Sequence, residues 1–416
     1  MRRREFLTGV GAAAAGLAVR PSFARAAERG AIRIGYFMPL TGTYAQPGRD
    51  ATDGFMLFWE SVEHQVAGRK VEVIVEDDEG VPATSLTKAR RLVEMEKVHT
   101  VAGAIPSTCA YAVIPYVEQQ RIPTLYPATA PDDITQRRPA RWVVRTTFAT
   151  SQATHPLGDY AYQVLGLRRV AVMGMDFSFG WESAGGFQRV FEELGGRIVQ
   201  RIWTPLNTQD YAPYLTTLRK DIDGLFVVYS AGQAQRFLRQ WNAHGFKGKW
   251  PIVGAGTTTD ESILPGMADD PVGVYTSMIY SGALDTEANR RFVAAFEKRY
   301  GRAPSLFAEE GYTGARFYYE AFKALNGEVE DRERLLQALR RVEIADAPRG
   351  PMRMDDTGNP NLNIYIRKVE RVGGKLENVV VKTYPMVSQF WTYKKEDYLK
   401  QPLYDRSNPP CRFCDS

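Results

Sequence analysis

Cysteine and histidine are scarce in this chain, with three cysteines and four histidines in 416 residues. Three cysteines cannot staple a fold of this size, and a chain long enough for two ordinary domains needs no stapling. The histidines, His64, His99, His155 and His244, stand in no recognisable motif, so a serine or cysteine nucleophile has no base assigned to it. Other chemistries lack their signatures too. There is no G-x-S-x-G elbow, no H-E-x-x-H for zinc and no G-x-x-x-x-G-K-[ST] for nucleotide phosphates. Gly254-x-Gly256 lacks the third glycine of a dinucleotide loop. No metal, no cofactor and no enzymatic activity are expected. An α/β hydrolase is the remote alternative, resting on the adjacent Ser107, Thr108 and Cys109 in "GAIPSTCAYAV".

Long hydrophobic runs are also missing. The apolar run from Phe6 to Val19 is short and rich in glycine and alanine, whereas a membrane span needs about 20 apolar residues. With its basic start and the pair Ala24-x-Ala26, the segment reads as a signal peptide cleaved after Ala26. Arg3-Arg4-x-Phe6-Leu7 resembles a twin-arginine export signal, which is an address and not an anchor. The expected location is the periplasm, with no membrane-spanning segment. Removing residues 1–26 takes Lys plus Arg from 53 to 48 and Asp plus Glu from 48 to 47, so the net charge falls from +5 to +1. No basic surplus is left to argue for nucleic acid. At the other end, "PPCRFCDS" holds Cys411 and Cys414 as a lone Cys-x-x-Cys, a weak zinc signal. In an oxidising compartment a local disulfide is favoured over free thiols.

Short β-rich runs alternate with helical patterns through most of the remaining chain. "AIRIGY" (31–36) precedes a turn-rich loop and a helix expected from Arg49. "VEVIVED" (71–77), "TVAGAI" (100–105) and "IPTLYP" are separated by helical segments around 83–97 and 108–120. This is repeated strand–helix–strand, the pattern of a parallel sheet covered by helices. The scheme restarts with "RRVAVMGMD" (168–176) and continues through "GLFVVYS", "WPIVGAG" and "VGVYTSMIY", so two α/β sheets are expected. Two successive helices follow, then a hairpin set around "NLNIYIRKVE" and "KLENVVVKTY" with a Gly-Gly turn. The tail 386–416 reads as irregular.

Ser107 and Thr108 stand where a strand ends and a helix begins. There, hydroxyls cap the first turn, while free backbone N–H groups and the helix dipole attract an anion. "PTLYPATAP" repeats the arrangement one strand later, with Thr129 after the strand. Ligands of open α/β sheets gather at these carboxyl ends. Simple helix capping with no ligand is the competing account, and Cys109 reads as a small packing residue.

The segments "IRIGYFMPLTGTYAQPGRDATDGFMLFWE", "VEDDEGVPATSLTKARRLVEMEKVHTVAGAIPST", "RIPTLYPATAPDDIT" and "RVAVMGMDFSFGWESAGGFQRVFEELGG" occur in an order and spacing that is specific. From about Ile32 to Tyr384 the chain resembles the periplasmic solute-binding proteins of branched-chain amino-acid ABC importers, the leucine-binding-like family. The resemblance implies a type I periplasmic-binding fold: two Rossmann-like α/β lobes, each a parallel sheet flanked by helices, joined by a three-segment hinge. Mapped here, lobe one is 31–147 plus 277–347 and lobe two is 148–276 plus 348–385. It implies a monomer that hands a small-molecule solute to an inner-membrane ABC permease. A periplasmic ligand sensor of the same fold, of amide or urea type, is the alternative.

Family members that bind amino acids hold the α-carboxylate by positions matching Ser107 and Thr108, then Pro127, Ala128 and Thr129. The resemblance places Phe179, Tyr229 and Ser230 on the other lobe. The family's ammonium-binding acid aligns with Gly256, followed by Thr257, and the usual first-loop tyrosine falls on Pro47, with Tyr44 three residues earlier. A buried ammonium without a carboxylate partner is expensive. A ligand with a carboxylate or amide at one end and a neutral or aromatic body therefore fits better than a plain amino acid, unless Asp260, Glu309 or Glu310 replaces the missing acid.

Overall fold

The computed structural model describes residues 30–414. The leader expected over 1–26 lies outside the described residues. Among them, no helix is long and apolar enough to cross a membrane.

Six strands form the first sheet: β1 (Ile32–Met38), β2 (Gln65–Val66), β3 (Arg69–Asp77), β4 (Thr100–Gly103), β5 (Thr124–Tyr126) and β6 (Val143–Arg145). Their order is β2-β3-β1-β4-β5-β6, parallel throughout except for the β2–β3 hairpin, with Ile34 beside Val73 on one side and Thr100 on the other. Side chains alternate across it, as the two-residue strand period requires. Tyr36, Ala102, Leu125 and Val144 face one core. Their neighbours Phe37, Val101, Tyr126 and Val143 face another. Helices α1 (Ala45–Ser61), α2 (Pro82–Glu94) and α3 (Ser107–Gln120) follow the first, third and fourth of these strands. α1 begins four residues before the expected Arg49, because Pro47 sits in the first turn, where a missing amide costs nothing.

The chain then enters α4 (Thr150–Gln163) and a second sheet of nine strands. Its parallel part is β7 (Arg169–Met175), β8 (Arg197–Thr204), β9 (Gly224–Val228), β10 (Ile252–Ala255) and β11 (Tyr275–Met278), interleaved with α5 (Ser178–Glu193), α6 (Ala212–Thr216) and α7 (Ala231–Ala243). Next come α8 (Glu287–Tyr300), α9 (Leu306–Ala324) and α10 (Arg332–Leu339), whose apolar faces return to the core of the first sheet. Four antiparallel strands complete the second sheet: β12 (Glu343–Ala347), β13 (Gly350–Met354), β14 (Pro360–Val372) and β15 (Lys375–Val387). β14 lies antiparallel to β11, and Gly373 and Gly374 make the β14–β15 turn with positive φ. Beyond it a short helix α11 (Lys395–Leu399) packs its Tyr398 with Phe390 and Tyr404, and a disulfide joins Cys411 to Cys414.

Candidate functional site

α3 packs on one face of the first sheet through Cys109, Val113 and Val117, whereas α9 packs on the opposite face through Ala308, Phe317 and Tyr318. Both helices begin beside the carboxyl ends of the strands, so their first turns converge there. A narrow cavity of about 50 Å³ lies between them and the second sheet's loops. Ser107 lines it from α3, Leu306, Phe307 and Glu310 from α9, Ala128 and Ala130 from the loop after β5, and Phe148 from the link to α4. The second sheet contributes Phe177, Phe179, Ser230 and Thr257. Rings and aliphatic carbon dominate this wall.

Helix capping is not the task of Ser107 or Thr108. The N-cap of α3 is Pro106 in extended backbone with no side-chain cap, so these two are the first helical residues. Their amides belong to the first turn, which has no intrahelical acceptors. Ser107 is buried at the cavity, while Thr108 is exposed. Cys109 is fully buried, and burial pushes its thiol up to about 11, which makes it a poor nucleophile at neutral pH. Two alanines beside the cavity have left-handed backbone, Ala104 at φ 61° before α3 and Ala231 at φ 49° at the start of α7. Such strain gathers where structure serves a site.

The remaining sequence candidates divide by place. Tyr44, Ser107, Ala128, Phe179, Ser230 and Thr257 come together around the cavity. Thr129 is fully buried, and its hydroxyl donates to the Ala104 carbonyl at 2.6 Å, which ties the two strand-end loops together. Pro127 is buried against α9, where a Cβ on Gly314 would stand 2.9 Å from the proline ring. Tyr229 belongs to the second core: its ring stacks on Phe237 at 4.5 Å, and its carbonyl accepts the Thr257 hydroxyl at 2.9 Å. It holds Thr257 in place behind the wall.

Gly256 has no room for a side chain. A Cβ there would lie 2.5 Å from Met278 Cβ and 2.8 Å from Arg367 Nη2. Arg367 is fully buried and donates to the carbonyls of Gly256 at 2.9 Å and Tyr280 at 2.6 Å. Of the three acids considered as replacements, Asp260 accepts from the Leu306 amide at 3.1 Å, and Glu309 is paired with the buried Arg349. Only Glu310 among them reaches the cavity. Thr147 donates to its Oε1, its Oε2 is buried without a hydrogen-bond partner, and burial raises its carboxyl to about 8.

The family profile described as "Periplasmic binding protein" matches residues 31–375. The chain belongs to that family. A solved relative of this periplasmic binding protein, an ABC transporter substrate-binding protein from Sphaerobacter thermophilus, is 34% identical with a TM-score of 0.82, covering 85% of this chain and 98% of its own. A solute binding protein of an ABC transporter from Rhodopseudomonas palustris BisB5, in complex with 3,4-dihydroxybenzoic acid, is 32% identical with a TM-score of 0.82, covering 86% and 98%. Among curated sequences, Leu/Ile/Val-binding protein homolog 6 of Brucella abortus (strain 2308) is 28% identical over 376 residues, 88% of this chain and 95% of its own. The two-sheet α/β architecture is thus the type I periplasmic-binding fold, and the protein is an ABC transporter substrate-binding protein.

Sequence reading alone did not find Phe148, Phe177, Leu306 or Phe307. Phe177 had a signal in "DFSF", where two phenylalanines two apart flank the start of a helix. Phe307 had none, since it is brought in by the return of α9 to the first sheet.

Proposed function

We propose that this protein works in the periplasm, capturing a small aromatic carboxylate and delivering it as a monomer to an inner-membrane ABC permease. Two lobes, 31–147 plus 277–347 and 148–276 plus 348–385, close over the ligand by a hinge. Ser107 and the first-turn amides of α3 hold the carboxylate, and Phe177, Phe179 and Phe307 sandwich the ring. One observation carries the reading. The wall is aromatic and aliphatic, and the position where an ammonium would need its carboxylate, Gly256, is closed by Met278 and Arg367. The relative that carries 3,4-dihydroxybenzoic acid supports the same chemistry. The cavity is about 50 Å³ as it stands, so a ring enters by parting the walls.

Calorimetric titration with benzoate, hydroxybenzoates, leucine and urea tests it. Benzoates bind, leucine and urea do not, and Ser107→Ala weakens the benzoates about tenfold, the loss of one charge-assisted hydrogen bond. Binding of leucine alone would overturn the reading.

A further inference from the structure

Glu310 is a polar group for which the capture of a ring and one carboxylate leaves no use. It is 1% exposed, it lines the cavity, and its Oε2 has no hydrogen-bond partner. A buried polar atom left unpaired costs free energy. A ligand that supplies the partner recovers that cost, and a ligand that lacks it does not.

The fold brings this group to the cavity on a different helix from the anion end. Ser107 arrives on α3, which covers one face of the first sheet, and Glu310 on α9, which covers the other. The two side chains therefore approach the cavity from opposite faces of the same sheet. Resting on the aromatic-carboxylate reading, we propose that Glu310 sets specificity, its unpaired Oε2 hydrogen-bonding to a hydroxyl on the ring, so that the protein selects hydroxylated aromatic carboxylates over the unsubstituted acid.

The surroundings keep the proton on. Burial raises the Glu310 carboxyl most; Glu309 on the same helix and Asp260 from the loop after β10 add to the rise, while Arg349 and the Thr147 hydroxyl oppose it. Arg349 is already committed to Glu309 and to the Thr146 carbonyl, 3.0 Å away, and Tyr36 on β1 is a neutral phenol, raised by its own burial. With a value of about 8, Glu310 is protonated at pH 7 and carries both an O–H donor and an acceptor. A phenolic hydroxyl uses both at once. An ionised glutamate offers only acceptors, so above pH 8 the pair loses one of its two bonds and the cavity gains a buried charge.

The test is calorimetric titration of the whole protein with benzoate, 3-hydroxybenzoate and 4-hydroxybenzoate, in wild type, Glu310→Gln and Glu310→Leu. One of the hydroxybenzoates binds wild type at least tenfold more tightly than benzoate at pH 7. Glu310→Leu brings that ratio to within about threefold by weakening the hydroxybenzoate, and Glu310→Gln, which still donates and accepts, keeps most of it. Between pH 7 and 9 the preference declines in wild type more than in Glu310→Gln, which separates Glu310 from titration of the phenol itself. If Glu310→Leu does not fold, the comparison of pH profiles decides alone, and parallel profiles overturn the assignment. Equal loss for benzoate and hydroxybenzoate puts Glu310 at the carboxylate end and overturns it too. A wild type with no hydroxyl preference overturns it while leaving the aromatic-carboxylate reading intact; absence of any benzoate binding overturns both.

Discussion

His155 sits in a cage of tyrosine rings, with Tyr393, Tyr398 and Tyr404 centroids 6.0 to 6.2 Å from its own. It is fully buried, its Nδ1 has no hydrogen-bond partner, and burial together with the neighbouring Arg189 holds its imidazole down at about 3. The folded state therefore carries a neutral His155, whereas the unfolded chain charges it near 6.5. Its contribution to stability is complete above pH 6.5 and is lost as pH falls from 6.5 toward 3, by at most about 1.4 kcal/mol per pH unit. Asp50 and Asp132, both raised to about 6 by burial, act in the opposite direction. The measurable quantity is the difference between variants: the melting temperature of His155→Phe falls less between pH 7 and pH 5 than that of wild type. Parallel curves would remove His155 from the account. Nothing in the sequence around His155 announced this role, since its neighbours in the cage are supplied by the tail more than 200 positions later.

At the scale of elements, the crossing of α1 and α9 governs where the cavity wall stands. Gly54 and Gly311 let the two backbones touch: a Cβ on Gly54 would lie 1.8 Å from the Ala308 carbonyl oxygen, and one on Gly311 1.9 Å from that of Ala51. A methyl group at either place pushes the helices apart. Gly311→Ala should cost about 1–3 kcal/mol of stability, as overpacking of tight contacts does. It should also weaken ligand binding, because Leu306, Phe307 and Glu310 ride on the first turns of α9. Chemical denaturation with the ligand titration alongside checks both, and an unchanged midpoint would show that the glycines do not set the crossing. The strands were legible in advance, because alternation such as Tyr36 and Phe37 in β1 is written in adjacent residues. The start of α1 was less so, since Pro47 reads as loop in the sequence yet is tolerated in a first helical turn.

For the whole molecule, loops and helices of the second sheet's side touch those of the first at defined points. Asp260 Oδ2 accepts from the Leu306 amide at 3.1 Å, and Glu182 Oε2 from the Asp132 amide at 3.2 Å. The C-terminal segment ties both sides as well: Arg137 donates to the Gln401 carbonyl at 2.7 Å, and Arg201 to that of Pro409 at 2.8 Å. If ligand binding selects a closed pair of lobes, small-angle scattering records a smaller radius of gyration with saturating benzoate or hydroxybenzoate than without. An identical radius in both states, with binding confirmed by calorimetry, contradicts hinge closure.

The sequence by itself determined the alternation of strand and helix, the restart that makes two sheets, and the place of Ser107 at the end of a strand. These are encoded by near neighbours, through a period of two in strands and 3.6 in helices. Only the tertiary structure decided which candidates meet the cavity. Thr129 spends its hydroxyl on Ala104, Tyr229 goes to the core, and Glu310 enters from the far face of the sheet. Gly256 shows why: the arginine that fills the space beside it lies 111 positions along the chain. Space and hydrogen-bond partners belong to residues that only folding brings together.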